Sequence, residues 1–173
     1  MSRVERLLEH ISRLSPAEQV ELAGRLLSRL EAGGLWPPSP PSEGEADAVL
    51  LFDGGSRGNP GPAYGSFLLV LPDGRKVHRR HEFGLLTGNQ AEYHALLAGL
   101  KEALGLLGER AGQVVLEVRG DSRLLQEQLE GRWRTRHPQL LALRDEAGAL
   151  LRRFRSWRFL RVPREEVVRH LGH

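Results

Sequence analysis

The hydrophobic and polar positions of this chain fall into two regions with different periods. Apolar residues recur at helical spacing over residues 4–14 and again over residues 20–30. Between the two runs, the sequence Ser-Pro-Ala-Glu is typical of a helix start, and a Gly-Gly pair follows the second run. The pattern predicts a helical hairpin over residues 1–34. Its apolar faces can pack on each other, on the second domain or on another subunit, and we favour contact with a protein partner or a second copy of the chain over contact with nucleic acid.

A proline-rich segment separates the hairpin from the rest of the chain. Residues 35–46 contain four prolines, which favour an extended and semi-rigid spacer. From residue 47 onward the pattern changes to short apolar runs bounded by turn residues, alternating with longer helical patterns. We therefore place a linker at residues 35–46 and a second domain at residues 47–173.

The second region predicts five strands and three helices. The strands are expected over residues 48–52, 64–71, 75–83, 114–118 and 157–162, and the helices over residues 89–107, 122–130 and 138–154. Short connections join the first three strands into an antiparallel meander, whereas helical crossovers make the last two strands parallel to the first. The expected fold class is α/β, with a mixed five-stranded sheet flanked by helices.

Composition limits the chemistry and the setting of the protein. The 173 residues include no cysteine, which excludes disulfides, thiolate nucleophiles and zinc–thiolate sites. No apolar run approaches the roughly 20 residues of a membrane span, and the first residues carry acids, unlike a secretory signal. We therefore expect a cytoplasmic protein without membrane contact. Arginine makes up most of the 25 basic residues, which weakly favours a nucleic-acid partner.

Two aspartates end apolar strands next to glycines. Asp53 follows the first predicted strand, and Asp121 follows the fourth. Taken singly, Asp53 is either a turn former or a functional carboxylate. A calcium loop beginning there is excluded, because its twelfth position is Tyr64 rather than Glu. Parallel strands place their carboxyl ends at one edge of a sheet, where ligands bind, so we expect the two aspartates to lie side by side if their strands are neighbours.

A third acid, Glu92, lies on the apolar stripe of the first long helix of this region, in its first turn. A buried and unpaired carboxylate is unfavourable, and three acids at one edge raise one another's pKa values. Divalent cations remove this repulsion, and an oxygen-only ligand set favours Mg²⁺ or Mn²⁺. Asp53, Glu92 and Asp121 thus predict a centre where two metal ions support the attack of water on a phosphodiester.

Three sequence blocks resemble one protein family. They are DGGSRGNPGPAYG from Asp53, TGNQAEYHALLAGL from Thr87 and RGDSRLLQEQLEG from Arg119. In this order they resemble the type 1 ribonuclease H family, in its compact bacterial and archaeal branch, over residues 47–166. The resemblance implies a ribonuclease H-like fold and an endonuclease that hydrolyses the RNA strand of RNA–DNA hybrids with two Mg²⁺ or Mn²⁺ ions.

The resemblance also implies roles for individual residues. Asp53, Glu92 and Asp121 would be the catalytic metal ligands, with Asp53 bridging the two ions. Other positions contact the hybrid in the family, where the minor groove exposes the 2′-hydroxyls of the RNA strand. They correspond here to Asn59, Thr87 and Asn89. Trp133 and Arg134 fall in a segment that is basic or aromatic on the substrate side of relatives, and Ser122 is a further candidate. For Trp133 the alternative is a loop tryptophan that packs on the core.

The chain departs from the family near its end. The family carries a fourth aspartate on a C-terminal helix, at a position that falls near Leu171, but no aspartate follows Asp145. The resemblance therefore implies a weakly held second ion and reduced or Mn²⁺-favouring activity, unless another group substitutes. The candidate substitutes are Glu165, Glu166, His170, His173 and the terminal carboxylate. Otherwise we expect the two histidines to lie in a frayed tail.

Two other functions stay open. The missing fourth acid favours a non-catalytic nucleic-acid-binding module of the same fold, whereas the three retained acids favour the enzyme. A nuclease directed at DNA would use the same fold and the same acids. Metal-dependent cleavage separates the enzyme from the module, and the substrate separates the two nucleases.

Overall fold

A computed structural model describes residues 2–32 and 45–173. Its N-terminal part forms two helices, α1 (Arg3–Ser12) and α2 (Pro16–Ala32). Neither these helices nor any helix within residues 45–173 is long and apolar enough to span a membrane. Residues 33–44, which include most of the predicted linker and the end of the predicted hairpin, lie outside the described residues. The division into hairpin, linker and second domain therefore stays a prediction.

The rest of the described chain forms a five-stranded sheet with helices on both faces. Its elements are β1 (Ala48–Ser56), β2 (Gly61–Val70), β3 (Lys76–Leu86), α3 (Gly88–Leu107), β4 (Val115–Gly120), α4 (Arg123–Leu129), α5 (Pro138–Leu151), β5 (Ser156–Arg161) and α6 (Arg164–Leu171). A 3₁₀ helix over Gly108–Gln113 joins α3 to β4. The strand order is β3-β2-β1-β4-β5; β2 is antiparallel to both of its neighbours, and β1, β4 and β5 are parallel. This confirms the predicted mixed α/β sheet.

Side chains of β1 alternate between two apolar clusters on opposite faces of the sheet. Leu50 and Phe52 belong to the main core together with α3. Other fully buried members of this core are Tyr93, Phe67, Leu69, Leu96, Leu100, Leu116, Leu125 and Leu151. Burying one side chain of this kind contributes about 1.5–3 kcal/mol. Leu51 points the other way and packs with Val167 and Leu171 of α6. The main core thus holds α3, and a small second cluster holds α6.

Helix α6 is absent from the predicted order of elements, which ended on β5. Its signals are nevertheless present in the sequence. Glu165 and Glu166 lie in its first turn, Arg169 and His170 lie in its last turn, and Gly172 follows it in the left-handed conformation with φ 81°. The expected frayed tail is therefore wrong for His170, which lies in the last turn of this helix.

Strand ends differ from the prediction where pairing continues past glycines. β1 extends to Ser56 rather than to residue 52, because its glycines still pair with β2, as Gly55 does with Tyr64. β3 extends to Leu86 rather than to residue 83, through a register shift next to Ala63. The longer strands carry the sheet beyond Asp53.

Candidate active site

The register of β1 against β4 sets Asp53 and Asp121 on the same side of the sheet. The last pair between these parallel strands is Leu51 with Arg119. Each aspartate lies two residues beyond that pair, and alternate residues of a strand share a face. Arg164, the first residue of α6, contacts both carboxylates, which agrees with this placement.

Glu92 reaches the same place because Gly54 lets the start of α3 approach β1 closely. A Cβ atom at Gly54 would collide with the carbonyl group of Ala91 and would lie 2.7 Å from the backbone nitrogen of Glu92. The helix is fixed one turn earlier, where the Thr87 hydroxyl accepts a hydrogen bond of 3.2 Å from the Gln90 N–H. The glycine and the cap together hold the first turn of α3 against the strand.

The three acids predicted from the sequence lie together. One carboxylate oxygen from each of Asp53, Glu92 and Asp121 lies within 4.8 Å of the other two. Oxygen ligands of Mg²⁺ and Ca²⁺ lie about 2.0–2.6 Å from the ion, so two ligands of one cation are at most about 5 Å apart. Asp53 is buried, and the other two acids are half-buried. The spacing therefore allows the three carboxylates to share a divalent cation.

Burial raises the pKa values of two of the three acids. It raises the pKa of Glu92 to about 7; a hydrogen bond with Ser122 opposes the rise, and the charges of Asp121 and Asp53 add to it. Burial also raises the pKa of Asp53, against the opposing effect of the Arg164 guanidinium. Ionising all three acids side by side is therefore unfavourable unless a cation is present.

Arg164 is a protein cation that faces the acids. Its Nη1 atom lies 2.8 Å from Asp53 Oδ2 and 3.2 Å from Asp121 Oδ2. The side chain is half exposed, so solvent weakens both ion pairs. Sequence reasoning assigned Arg164 no role. The signal that located the aspartates applies to it as well, because it lies just past the carboxyl end of the parallel strand β5.

His173 also lies in the site, and the expected frayed tail is wrong for it. Only 11% of its side chain is exposed. Its Nε2 atom is hydrogen-bonded to the Ser66 hydroxyl, and its ring packs edge-on against Tyr64 with the ring centres 5.1 Å apart. Its Nδ1 atom lies 3.1 Å from Asp53 Oδ2. Burial lowers the pKa of this imidazole, against the raising effect of Asp53.

The other predicted substitutes for a fourth acid lie elsewhere on α6. Glu165 and His170 are exposed, and Glu166 Oε1 lies 3.9 Å from Arg119 Nη1. Leu171, where the fourth acid was expected, is 5% exposed and packs in the small apolar cluster under α6. An aspartate there would be buried among aliphatic side chains instead of facing the other acids.

Three residues predicted to contact a hybrid lie close together. A surface recess of about 440 Å³ is lined by Ser56, Gly58, Asn59, Gly88 and Asn89. Asn59 Oδ1 accepts a hydrogen bond of 3.3 Å from the Gly88 N–H, which ties the loop after β1 to the start of α3. Thr87, half-buried at the cap of α3, immediately precedes Gly88 in the chain.

The remaining predicted contact residues lie around α4. Ser122 caps α4 and also hydrogen-bonds Glu92, so it belongs to the acid cluster as well. Trp133 is 42% exposed, and the Cζ atom of Arg123 lies 5.2 Å from its ring centre, within the range of a cation–π contact. Arg134 is exposed beside it. The tryptophan therefore lies at the surface and is not packed in the core.

A further buried acid, Glu117 on β4, is separate from the cluster. Its carboxylate pairs with Arg119 and with Arg158, each at 2.6 Å. Two arginines neutralise this acid, which is typical of a structural ion pair.

The residues of the cluster fit a divalent metal ion. Three carboxylates supply the oxygen ligands that Mg²⁺ and Mn²⁺ prefer. A buried polar atom points to the same conclusion. The Nδ1 atom of His173 makes no hydrogen bond within the described part of the chain, although Asp53 Oδ2 lies only 3.1 Å away. A cation between these atoms would satisfy both of them.

Comparison with known proteins places this geometry in a family. A family model described as reverse transcriptase-like matches residues 51–168. The curated ribonuclease HI of Halobacterium salinarum is 45% identical over 114 residues, which cover 65% of this chain and 55% of that protein. The chain belongs to the type 1 ribonuclease H family. This ribonuclease H chain spans about half the length of that curated relative, and 31% of the length of a bifunctional protein of Mycobacterium tuberculosis.

Solved ribonuclease H structures match the same part of the chain. The crystal structure of ribonuclease H1 from Halobacterium salinarum is 41% identical with a TM-score of 0.63, and the match covers 70% of this chain and 89% of that one. A ribonuclease H1 isolated from compost, solved in complex with an RNA/DNA hybrid, is 30% identical with a TM-score of 0.65. The match covers 72% of this chain and 92% of that one. These matches confirm the predicted ribonuclease H-like fold.

Proposed function

We propose that this protein is an endonuclease that hydrolyses the RNA strand of RNA–DNA hybrids with divalent metal ions. The observation that carries the proposal is the cluster of Asp53, Glu92 and Asp121, brought together by two parallel strand ends and the first turn of α3. The related ribonuclease H1 solved with an RNA/DNA hybrid supports the substrate class. The oxygen ligands favour Mg²⁺ or Mn²⁺, and the apolar Leu171 supports reduced or Mn²⁺-favouring activity.

The carboxylates would hold the ions, and their neighbours would orient the carboxylates. Ser122 orients Glu92 through its hydrogen bond, and Gly54 keeps the start of α3 against β1. When bound, the ions supply Lewis-acid activation of water and stabilise charge on the scissile phosphate. Attack of water on phosphorus breaks the bond to the 3′-oxygen and leaves a 5′-phosphate and a 3′-hydroxyl. No protein nucleophile is needed.

The hybrid would contact the recess between the loop after β1 and the start of α3, and the surface around α4. Asn59 and Asn89 border the recess, and amide side chains can both donate hydrogen bonds to 2′-hydroxyls and accept them. Because Oδ1 of Asn59 accepts from Gly88, its NH₂ group is the part offered to a ligand. Trp133 with the exposed Arg134 forms an aromatic and basic surface that suits a nucleic-acid backbone.

The test is cleavage of a labelled RNA–DNA hybrid by the purified full chain, with duplex DNA and duplex RNA as competing substrates. Each substrate is incubated with Mg²⁺, with Mn²⁺ and with chelator. We expect metal-dependent cleavage of the RNA strand of the hybrid, and its loss in Asp53→Asn. Asp73→Asn, which changes an exposed acid in the turn between β2 and β3, is the matched control and should cleave normally.

The other outcomes each assign a different function. Hybrid binding without cleavage under every metal condition would overturn the proposal and favour a non-catalytic nucleic-acid-binding module. Cleavage of duplex DNA in preference to the hybrid would identify a DNA-directed nuclease. Normal turnover by Asp53→Asn would contradict the role of the acid cluster.

The roles of the N-terminal helices and the location of the protein stay predictions. Val4, Leu7, Leu8 and Val20 are more than half exposed, which supports contact of residues 1–34 with a protein partner or a second copy. The cytoplasmic location rests on the sequence.

A further inference from the structure

His173 brings a nitrogen atom to the carboxylate cluster. Its Nδ1 atom is buried and lies 3.1 Å from Asp53 Oδ2, and 89% of its side chain is shielded from solvent. The tight turn at Gly172, which has φ 81°, follows α6 immediately before this residue. One of the candidate substitutes named from the sequence therefore lies beside Asp53.

The neighbours of the imidazole fix which nitrogen faces the acids. Asp53 and Ser66 are directly opposite each other in the pairing of β1 with β2, so their side chains leave the sheet on one face. The Ser66 hydroxyl is hydrogen-bonded to Nε2 of His173, and the Tyr64 ring limits rotation of the imidazole. In a neutral imidazole one nitrogen carries the proton and the other has a free lone pair. The Ser66 hydroxyl can donate to Nε2 or accept from it; in the tautomer in which Nε2–H donates to Ser66, the lone pair of Nδ1 faces Asp53.

Two lone pairs 3.1 Å apart repel each other unless a positive group lies between or beside them. Nδ1 of His173 makes no hydrogen bond of good geometry within the described residues, and its contact with Asp53 Oδ2 at 3.1 Å is an ion pair only when the imidazole is protonated. A metal ion that accepts one electron pair from Asp53 and one from the imidazole would satisfy both groups. A metal-bound histidine also commonly donates its other ring N–H to a fixed protein group, and Ser66 is in the place for that role.

We propose that His173 is a nitrogen ligand of the divalent metal centre, held in position by Ser66, and that it replaces the missing fourth carboxylate. The inference deepens the proposed function, since it concerns the same metal centre. It also specifies the ion. Imidazole suits transition metals, whereas Mg²⁺ prefers carboxylate, carbonyl and water oxygens. An ion held by Asp53 and the His173 imidazole should therefore favour Mn²⁺ over Mg²⁺ more strongly than an ion held by carboxylates alone.

The experiment measures ion binding directly, without substrate, on the full chain. Mn²⁺ and Mg²⁺ are titrated by calorimetry into the wild type, His173→Ala, His173→Asp and Ser66→Ala. His170→Ala is the matched control, because His170 is an exposed histidine of α6. Removing a residue that positions a ligand lowers metal affinity about 10–100-fold, so we expect at least about a tenfold loss of Mn²⁺ affinity in His173→Ala and a similar loss in Ser66→Ala. His170→Ala should bind like the wild type, and His173→Asp should bind with a lower preference for Mn²⁺ over Mg²⁺.

A spectroscopic measurement on the wild type keeps the proposal testable if a variant fails to fold. Electron spin echo spectra of bound Mn²⁺ should contain modulation from a directly coordinated ¹⁴N nucleus, which should disappear in His173→Ala and persist in His170→Ala. Wild-type spectra without nitrogen modulation would overturn the proposal. Unchanged Mn²⁺ affinity in a folded His173→Ala protein would overturn it as well.

Failure of this inference and failure of the proposed function are distinguishable. If the wild type cleaves the hybrid but its Mn²⁺ spectra lack nitrogen modulation, the ligand role of His173 is wrong and the nuclease stands. If nitrogen modulation depends on His173 but no hybrid is cleaved, the metal centre stands and the nuclease is wrong.

Discussion

Tyr93 donates a buried hydrogen bond of 2.6 Å to Gln128. Tyr93 follows Glu92 on α3, and Gln128 lies on α4, the helix that begins directly after Asp121 and Ser122. One bond in the core therefore joins the two helices that are connected to two of the three acids. Changing this pair should therefore affect both the stability of the domain and the positions of Glu92 and Asp121.

Replacing Tyr93 with Phe should destabilise the protein. Gln128 is 4% exposed, so the variant leaves a buried amide oxygen without its donor, and such a loss costs about 1–3 kcal/mol. Urea denaturation measures the change. The double variant Tyr93→Phe with Gln128→Leu removes both polar partners and should recover part of the loss. A single variant as stable as the wild type would show that the bond contributes little.

Gly54→Ala, a change on strand β1, should destabilise the fold. Its Cβ atom would collide with the backbone of α3 at Ala91, and forced overpacking costs about 1–3 kcal/mol. The control is Gly105→Ala on α3, at an exposed position where a Cβ atom would meet nothing within 4 Å. That change should stabilise the protein by about 0.5–1 kcal/mol. Thermal and urea unfolding of both variants check the opposite signs, and equal effects would contradict the close approach.

Arg164→Gln should strengthen the binding of divalent ions. The guanidinium pairs with Asp53 and Asp121, so an incoming ion must displace it or share its partners. Exposed ion pairs contribute about 0.2–1 kcal/mol each, and the two pairs together correspond to a rise in affinity of about two- to thirtyfold. Calorimetric titration with Mn²⁺ measures it. Arg169→Gln, an exposed arginine in the last turn of α6, is the control and should leave the affinity unchanged.

Glu92→Gln should stabilise the metal-free protein at high pH. The pKa of Glu92 is raised from 4.5 to about 7 in the folded state. The folded state therefore binds more protons than the unfolded state between these values. The contribution of this group is fully present below about pH 4.5 and is lost as the pH rises through about 7.

The raised pKa corresponds to at most about 3 kcal/mol, so Glu92→Gln should gain up to that amount over the wild type at pH 8. At pH 4 the gain should vanish. Urea denaturation in chelator at several pH values measures it, with Glu109→Gln, an exposed acid outside the cluster, as the reference. A gain that does not depend on pH would contradict the raised pKa.

The sequence predicted the acid cluster because its position follows from topology. Asp53 and Asp121 end strands that helical crossovers make parallel, and Glu92 lies on the helix face that must cover the sheet. None of these inferences needs the exact register. The chain order of β1 to β5 and the sheet type followed from the same period changes and are confirmed by the structure.

The positions of Ser66 and His173 relative to the acids depend on tertiary structure, which the sequence pattern does not determine. Ser66 approaches the acids only because β2 pairs with β1 in one register, and His173 only because α6 folds back over that face. Local patterns do not encode such contacts between residues more than one hundred positions apart. The helix signals of α6 were readable, but the direction in which Gly172 turns the following residue was not.

Arg164 and His173 lie at opposite ends of α6, and this helix is held to the sheet by a much smaller apolar cluster than α3. Elements with few buried apolar contacts open locally at lower free energy than the rest of a fold. The amide hydrogens of α6 should therefore exchange with solvent before those of α3. A single opening would carry both side chains away from the carboxylates together. We therefore expect local opening of α6 to control the rate at which an ion enters and leaves the carboxylate cluster.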